Sequence, residues 1–232
     1  MAVVGLLTEW VDLIDSMAPE ILKLVVATWE EMPSPASDDK EDNITSTLCL
    51  ALMKNRDARG LPFQIRTQLV ELEPMQGEDL GRMDIVFIPM VPREDIYFCL
   101  ESKRLNAIKN GKIRSYASEY VTLGMMRFVT GQYSKAVQHG GMIGYVLDGN
   151  VSRAMVNVKS NIQKQRIALC MAAPGTFLPS TVLINDVRAR ETRHNRAHET
   201  NPFCIHHLFM AAHPKKAQKN KGSEALLSKM RS

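Results

Sequence analysis

Two acidic residues and one lysine lie at spacings that could assemble a metal-dependent hydrolytic site. Asp84 is the second residue of the β-rich run 83–90, and Glu101 and Lys103 lie at the end of the run 95–103. If these runs pair as a hairpin around residues 91–94, counting back along both strands places Asp84 opposite Glu101. The Cβ atoms of directly opposed residues are about 4.5–5.5 Å apart. Lys103 lies two residues beyond Glu101 and therefore points to the same face of its strand.

Two carboxylates at this distance repel each other, and a divalent cation bound between them would neutralise their charge. Mg²⁺ prefers one or two carboxylates, water and phosphate oxygens. It can lower the pKa of bound water and neutralise charge on a phosphodiester, while a neighbouring lysine positions or deprotonates the attacking water. The residue types therefore predict Asp84 and Glu101 as metal ligands, with Lys103 serving the water or the scissile phosphate.

The elements that must position these residues alternate between helical and strand periodicity. Helical spacing is predicted over residues 6–30, with an interruption near Pro19, and from Glu41 to about Arg56. The later predicted elements are strands 63–70, 83–90 and 95–103, helix 113–138, strand 140–149, helix 152–167 and strand 203–211. This order predicts an α/β fold with a mixed central β-sheet flanked by helices, and an N-terminal helical addition.

The run Gly81-Arg-Met-Asp84, the apolar strand 96–100 and then Glu101-Ser-Lys103 resemble the motif of the PD-(D/E)XK nuclease superfamily. The predicted order of a helix, a three-stranded meander, a helix and a strand over roughly residues 41–150 is also similar to that superfamily. Met83 stands where the superfamily's name has proline. The resemblance implies a restriction-endonuclease-like core and Mg²⁺-dependent hydrolysis of phosphodiester bonds by metal-activated water, with Mn²⁺ able to substitute.

The resemblance further implies another acid near the metal, supplied by the first core helix. Glu41 is the best match, and on this interpretation it joins Asp84 and Glu101 as a metal ligand. The alternative is that Glu41 and Asp42 only favour the helix N-terminus, an effect worth up to about 1 kcal/mol. The sequence does not choose between these two interpretations.

Basic residues after the motif are candidate contacts to nucleic acid. Arg127, on the following helix, could bind phosphate or a base, and Arg193, His194 and Arg196 form a candidate phosphate clamp. Tyr133 could also reach the substrate, although a role in covering the sheet is favoured.

The histidines offer a competing site type. A zinc site is conceivable through His194 and His198, with His206 or His207. It is disfavoured because no cysteine lies at zinc-finger spacing and the HExxH pattern is absent.

Bulk properties limit the protein class. A hydrophobic content of 45% excludes a largely disordered chain, and no apolar run reaches the roughly 18 residues that a membrane span needs. The N-terminus lacks the basic leader of a secretory signal. The cysteines lie singly in apolar stretches, which favours reduced core thiols in the cytoplasm: Cys49, Cys99, Cys170 and Cys204. The net charge is +4, with acids concentrated in residues 9–42 and bases in the C-terminal third, a pattern typical of nucleic-acid surfaces.

The predicted organisation is an N-terminal helical segment 1–32, a linker 33–40, a nuclease-like domain 41–212 and a basic flexible tail 213–232. DNA is the favoured substrate, and analogy with the family suggests bacterial or phage DNA processing or defence. Two alternatives stay open: a nuclease of the same fold acting on RNA, and a non-catalytic nucleic-acid-binding or assembly subunit. The acidic N-terminal helices could bind a partner protein or a second copy of the chain.

Overall fold

The computed structural model describes residues 7–55, 57–70, 81–90, 96–197 and 199–212. The first half contains α1 (Leu7–Glu31), α2 (Glu41–Lys54), a 3₁₀ turn (Asp57–Gly60), β1 (Phe63–Val70), β2 (Arg82–Pro89) and β3 (Phe98–Leu105). A short hairpin follows, made of β4 (Ala107–Lys109) and β5 (Lys112–Arg114). The composite helix α3 consists of α-helical turns Ala117–Glu119 and Met126–Val129 around the π-helical segment Tyr120–Met125. The remaining elements are β6 (His139–Val146), α4 (Val151–Lys164), β7 (Leu178–Pro179), β8 (Ala189–His194) and β9 (Phe203–Ala211).

Seven strands form one central sheet in the order β1-β2-β3-β6-β9-β8-β7. β1, β2 and β3 are an antiparallel meander, β3, β6 and β9 are parallel to one another, and β8 and β7 return antiparallel. The predicted α/β architecture with a mixed central sheet is therefore confirmed. The predicted flexible tail, residues 213–232, lies outside the described residues.

The register between β2 and β3 is the one predicted from the sequence. Ile85 pairs with Leu100, and Phe87 pairs with Phe98, in an antiparallel ladder. One step further along the same register brings Asp84 level with Glu101. The turn expected at residues 91–94 lies outside the described residues, so the register is read from the paired residues of β2 and β3.

Helices cover both faces of the sheet because its strands alternate their apolar side chains between the faces. On one face, Ile85 and Leu100 share a core with Ile21 of α1 and Leu48 of α2. On the other face, a second core joins strand residues to α3 and α4: Val86, Cys99, Met142, Val121 and Val158. The catalytic candidates on β2 and β3 therefore sit on strands that are buried from both sides.

The N-terminal helix differs from its prediction in two ways. α1 runs unbroken through Pro19, although a proline inside a helix costs about 3 kcal/mol or more. Fully buried Ile14 and Ile21 flank that position, and their packing offsets the cost. Trp29 stacks on Tyr145 with ring centroids 5.3 Å apart. α1, which was predicted as a helical addition before the domain, thus packs into the core that α2 and one face of the sheet share.

Four strands of the described structure were not predicted from the sequence: β4, β5, β7 and β8. The helix expected over 113–138 is shorter, and the hairpin β4–β5 precedes it. Asn110 and Gly111 connect that hairpin with φ angles of 50° and 69°, which is the positive-φ pattern of a two-residue Asn-Gly turn. The Asn110-Gly111 dipeptide was the feature of the sequence that could have predicted this hairpin. β8 was missed because its sequence, Ala189–His194, is mostly polar, and the polar residues were interpreted as a binding segment.

Two expectations about residue environment can also be compared with the structure. Cys49, Cys99 and Cys204 are buried, as predicted for core thiols, whereas Cys170 is exposed and contradicts the prediction. Within the described part of the chain, no helix is both long enough and apolar enough to cross a membrane.

Candidate active site

Asp84 is oriented by the neighbouring strand. Its Oδ2 atom accepts hydrogen bonds from the backbone N–H of Ser102, at 2.8 Å, and from the Ser102 hydroxyl, at 2.6 Å. The Ser102 Oγ atom also lies 2.9 Å from Oγ1 of Thr45 on α2. The sequence analysis did not single out Ser102. Ser102 was not predicted because the middle residue of an acid-x-lysine motif normally points to the other face of the strand. Its position between Glu101 and Lys103 was the only feature of the sequence that could have indicated a role near the site.

Glu101 is buried, with 1% of its surface exposed. Its Oε1 atom accepts a hydrogen bond from Lys103 Nζ at 2.7 Å and lies 3.5 Å from Nη1 of Arg127. Its Oε2 atom is buried and has no hydrogen-bond partner among the described residues. Burial and the neighbouring charge of Asp84 raise the pKa of Glu101 to about 7. A buried carboxylate oxygen without a partner is energetically costly, and a divalent cation would supply the missing partner.

The close packing of α3 buries Glu101. A Cβ atom at Gly124 would lie 2.4 Å from Cε of Met142 and 3.7 Å from Cγ of Glu101. Only glycine allows the π-helical segment to approach the strand this closely without displacing Met142. The helix therefore excludes solvent from one side of the acidic pair.

Lys103 lies between two acids. Its Nζ atom is 2.7 Å from Oε1 of Glu101 and 3.1 Å from Oε1 of Glu41. Burial lowers the pKa of Lys103, but the charges of Glu101, Glu41 and Asp84 outweigh burial and hold the pKa above its ordinary value. Lys103 therefore carries a proton in this arrangement, which favours positioning and charge stabilisation over deprotonation of water.

Glu41 is brought to the cluster by the first turn of α2. Its Oε2 atom accepts a hydrogen bond from the backbone N–H of Arg104 at 2.8 Å, in addition to its contact with Lys103. The next residue, Asp42, has a side chain that is 64% exposed and lies 3.6 Å from Arg82. The structure thus separates the two acids at this helix start. Glu41 contacts Lys103 of the cluster, whereas Asp42 has the position expected of a surface acid.

An open cleft of about 300 Å³ leads to the cluster. Its lining includes four charged or aromatic side chains besides Glu41 and Lys103, and one leucine: Arg104, Tyr116, Glu119, Arg127 and Leu123. The guanidinium of Arg127 also hydrogen-bonds to the Tyr133 hydroxyl, and Tyr133 is fully buried. Arg127 therefore faces the cleft, while Tyr133 covers the sheet as the sequence analysis favoured.

The rim of the cleft is basic and contains a strained aromatic residue. Tyr116 adopts a left-handed backbone conformation with φ of 54°, which is uncommon for residues other than glycine. Its ring centroid lies 5.3 Å from Cζ of Arg104 and 4.4 Å from Cζ of Arg114. Arg114 and Lys112 of β5 are both exposed. None of these rim residues was a candidate from the sequence.

The candidate phosphate clamp does not form. Arg193 is exposed and pairs with Glu191 at 3.1 Å, but His194 is fully buried and lies 2.7 Å from the backbone oxygen of Leu169. Arg196 is 5% exposed and donates hydrogen bonds to the backbone oxygen of Ser134. Alternation along β8 turns Arg193 and His194 to opposite faces of the sheet. We therefore remove His194 and Arg196 from the predicted nucleic-acid contacts.

The zinc alternative also changes. His198 lies outside the described residues. His194 Nε2 and His207 Nε2 lie 2.7 and 2.9 Å from the Thr192 hydroxyl, so both rings belong to a buried hydrogen-bond network. His206 lies on the opposite face of the sheet from His207.

Comparisons with known proteins identify no relative. No protein-family model matches the chain, and neither a curated protein nor a solved structure is significantly similar to it. The functional proposal must therefore rest on the geometry and chemistry of the site.

Proposed function

We propose that the protein is a Mg²⁺-dependent nuclease of the PD-(D/E)XK type that hydrolyses phosphodiester bonds, with DNA as the favoured substrate. The observation that carries this proposal is the cluster of buried Glu101 with partly buried Asp84 and Lys103, which Glu41 joins from α2. The order α2, β1–β2–β3 meander, α3 and β6 supports a restriction-endonuclease-like core.

The donor set fits a hard divalent cation. Asp84 and Glu101 offer carboxylate oxygens from adjacent strands, and Oε2 of Glu101 lacks a hydrogen-bond partner among the residues described. Glu41 would contact the ion directly or through a water molecule. When bound, Mg²⁺ would supply a more acidic water and neutralise charge on the phosphodiester. Oxygen ligands of this kind suit Mg²⁺, and Mn²⁺ accepts the same ligands.

The protein's own residues would then orient the substrate and stabilise charge. Ser102 holds the Asp84 carboxylate in one orientation through two hydrogen bonds. Protonated Lys103 would position the attacking water and stabilise negative charge that develops on the phosphate. Arg127, which faces the cleft, would bind a non-bridging phosphate oxygen.

The basic rim would bind the backbone of the nucleic-acid strand. The guanidinium groups of Arg104 and Arg114 lie against the ring of the cleft-lining Tyr116, and Arg114 also pairs with Glu119 at 3.0 Å. Lys112 is an exposed cation on the same strand as Arg114. Contacts of this type neutralise phosphates and fix the register of the strand without reading its sequence. We also propose the cytoplasm as the compartment, because three of the four cysteines are buried as thiols in the core.

The proposal is tested by incubating the purified protein with plasmid, single-stranded DNA and RNA, each with Mg²⁺, Mn²⁺ or EDTA. We expect DNA cleavage with either metal and none with EDTA. Asp84→Asn, Glu101→Gln and Lys103→Ala should each reduce the rate about a hundredfold or more, which is about 2.7 kcal/mol of transition-state stabilisation. Asp42→Asn, at the acid next to Glu41 whose side chain is 64% exposed, is the matched control and should retain most of the activity.

Other outcomes separate the alternatives. Cleavage of RNA alone would move the protein to the RNA-directed class. Metal-independent cleavage, or full activity in any of the three cluster variants, would falsify the assignment. Tight binding of DNA without cleavage under every metal condition would instead support a non-catalytic subunit.

A further inference from the structure

A second group of metal-binding side chains lies away from the cleft, where β6 and β9 begin. His139 is the first residue of β6, and Cys204 and His206 lie on β9. One ligand atom from each of the three residues lies within 4.8 Å of the other two. His139 pairs with Cys204 in the parallel ladder, and His206 pairs with Gly141 two residues further along β6. Alternation along each strand therefore directs all three side chains to one face of the sheet.

This group is separate from the proposed nuclease site. Glu101 pairs with Met142 of β6, three residues beyond His139, which corresponds to roughly 10 Å along a strand. Met142 belongs to the core beneath α3 and α4. Leu208, which shares the face of His206, belongs to the core beneath α1 and α2. The two sites thus lie at different levels and on opposite faces of the sheet.

The spacing of the two imidazoles is close to that of ligands on a single ion. Nδ1 of His139 and Nε2 of His206 are 3.0 Å apart. Two nitrogens bound tetrahedrally to Zn²⁺ at 2.0–2.1 Å would be about 3.3 Å apart. Small side-chain rotations would therefore convert the present hydrogen-bonded arrangement into a chelating one.

Burial of two of the three side chains adds to this arrangement. Cys204 is 5% exposed and His206 is 2% exposed, so both are shielded from water. Nδ1 of His206, the ring nitrogen that does not face His139, has no hydrogen-bond partner among the described residues. In metal-binding histidines this second nitrogen usually donates a hydrogen bond to a carbonyl, a carboxylate or water.

We propose that His139, Cys204 and His206 bind one transition-metal ion, with Zn²⁺ as the best-suited metal. Imidazole and thiolate are ligands for Zn²⁺ and related ions, whereas Mg²⁺ prefers oxygen. When the ion binds, the Sγ–metal bond forms and the Cys204 thiol releases its proton to solvent, so that the thiolate offsets one of the two positive charges. Three protein ligands leave the fourth tetrahedral position to water or another oxygen donor. The ion would join β6 to β9 at the centre of the sheet.

The test uses the full chain, reduced and freed of metal with a chelator, and titrates it with Co²⁺ as a spectroscopic substitute for Zn²⁺. We expect one ion per chain, the visible bands of tetrahedral Co²⁺ and a thiolate-to-Co²⁺ charge-transfer band, all removed by stoichiometric Zn²⁺. Cys204→Ser should abolish the charge-transfer band. It should also weaken Zn²⁺ binding by at least the roughly 10–100-fold that loss of an outer-shell partner costs, as should His206→Asn.

Two controls make the result specific. Cys170→Ser removes an exposed thiol and should leave the spectrum unchanged. Asp84→Asn should retain the site, so that failure of the nuclease proposal and failure of this one can be distinguished. The proposal is overturned if the wild-type protein shows no thiolate band, if the band persists in Cys204→Ser, or if it disappears in Cys170→Ser. Because the first of these outcomes needs only the wild-type chain, the test does not depend on every variant folding.

Discussion

Replacing Glu101 by glutamine should stabilise the metal-free protein at neutral and alkaline pH. Burial and the charge of Asp84 raise the pKa of Glu101 from 4.5 to about 7. This difference of about 2.5 corresponds to roughly 3 kcal/mol, at about 1.36 kcal/mol for each pKa unit. In the pH range between the two values, folded Glu101 binds more protons than unfolded Glu101. The free energy of unfolding therefore falls as the pH rises through this range, and the full cost is present above pH 7.

Glutamine keeps the shape of the side chain and removes the charge. It also weakens the 2.7 Å contact with Lys103, and a hydrogen bond to a charged group is worth about 1.5–3 kcal/mol. Lys103 retains its contact with Glu41, so the loss should fall at the lower end of this range. We therefore expect Glu101→Gln to be more stable than the wild type at pH 8 by about 1–2 kcal/mol, or about 2–8 °C in Tm for a chain of this size. The advantage should vanish at pH 5.

The assay is thermal unfolding from pH 5 to pH 8, with EDTA or with Mg²⁺. If Mg²⁺ binds at Asp84 and Glu101, a concentration of ten times Kd should stabilise the wild type by about 1.4 kcal/mol and the variant hardly at all. Glu119→Gln removes an acid that lines the same cleft and should change neither the pH profile nor the response to metal. The reasoning is refuted if Glu101→Gln is less stable than the wild type at pH 8, or if Mg²⁺ stabilises both proteins equally.

Two further predictions compare acids on the same helix. Glu41→Gln should lower the cleavage rate at least tenfold, about 1.4 kcal/mol, because Glu41 contacts Lys103. Asp42→Asn should have little effect, because the Asp42 side chain is exposed. Equal cleavage rates for the two variants would show that Glu41 only favours the start of the helix. Burial raises the pKa of Asp15 to about 6, so its ionisation reduces stability as the pH rises from about 4 to 6. After allowance for its partial exposure, Asp15→Asn should be more stable than the wild type at pH 7 by on the order of 1 kcal/mol. Glu20→Gln, at an exposed acid on the same helix, is the control. Chemical denaturation that showed no gain for Asp15→Asn, or the same gain at pH 4, would contradict this.

Features governed by local periodicity could be predicted from the sequence. The alternation of side chains along a strand has a period of two, so a single assumed pairing determined which residues of β2 and β3 oppose each other. For this reason the sequence predicted that Asp84 lies opposite Glu101 on the neighbouring strand, in the register that the structure shows for β2 and β3. The order of the other helices and strands from α2 to β9 followed from the same periodicities, but the strands β4, β5, β7 and β8 were not predicted.

Features that depend on packing between distant segments could not be predicted. Glu41 and Asp42 are adjacent acids, and only the position of α2 on the sheet directs Glu41 to Lys103 and leaves Asp42 at the surface. His194 resembled a phosphate ligand in sequence, but sheet formation placed it in the core.

The two candidate sites differ in how far the sequence alone could predict that their residues meet. Asp84, Glu101 and Lys103 lie on adjacent strands of one hairpin, so their types and spacing indicate a site before any fold is known. His139 and Cys204 are 65 positions apart in the sequence and meet only because β6 and β9 pair in parallel. A parallel pairing needs a long crossover and has no turn to set its register. The sequence alone therefore determined that Asp84 lies level with Glu101, whereas the tertiary structure decided that the two histidines and Cys204 meet.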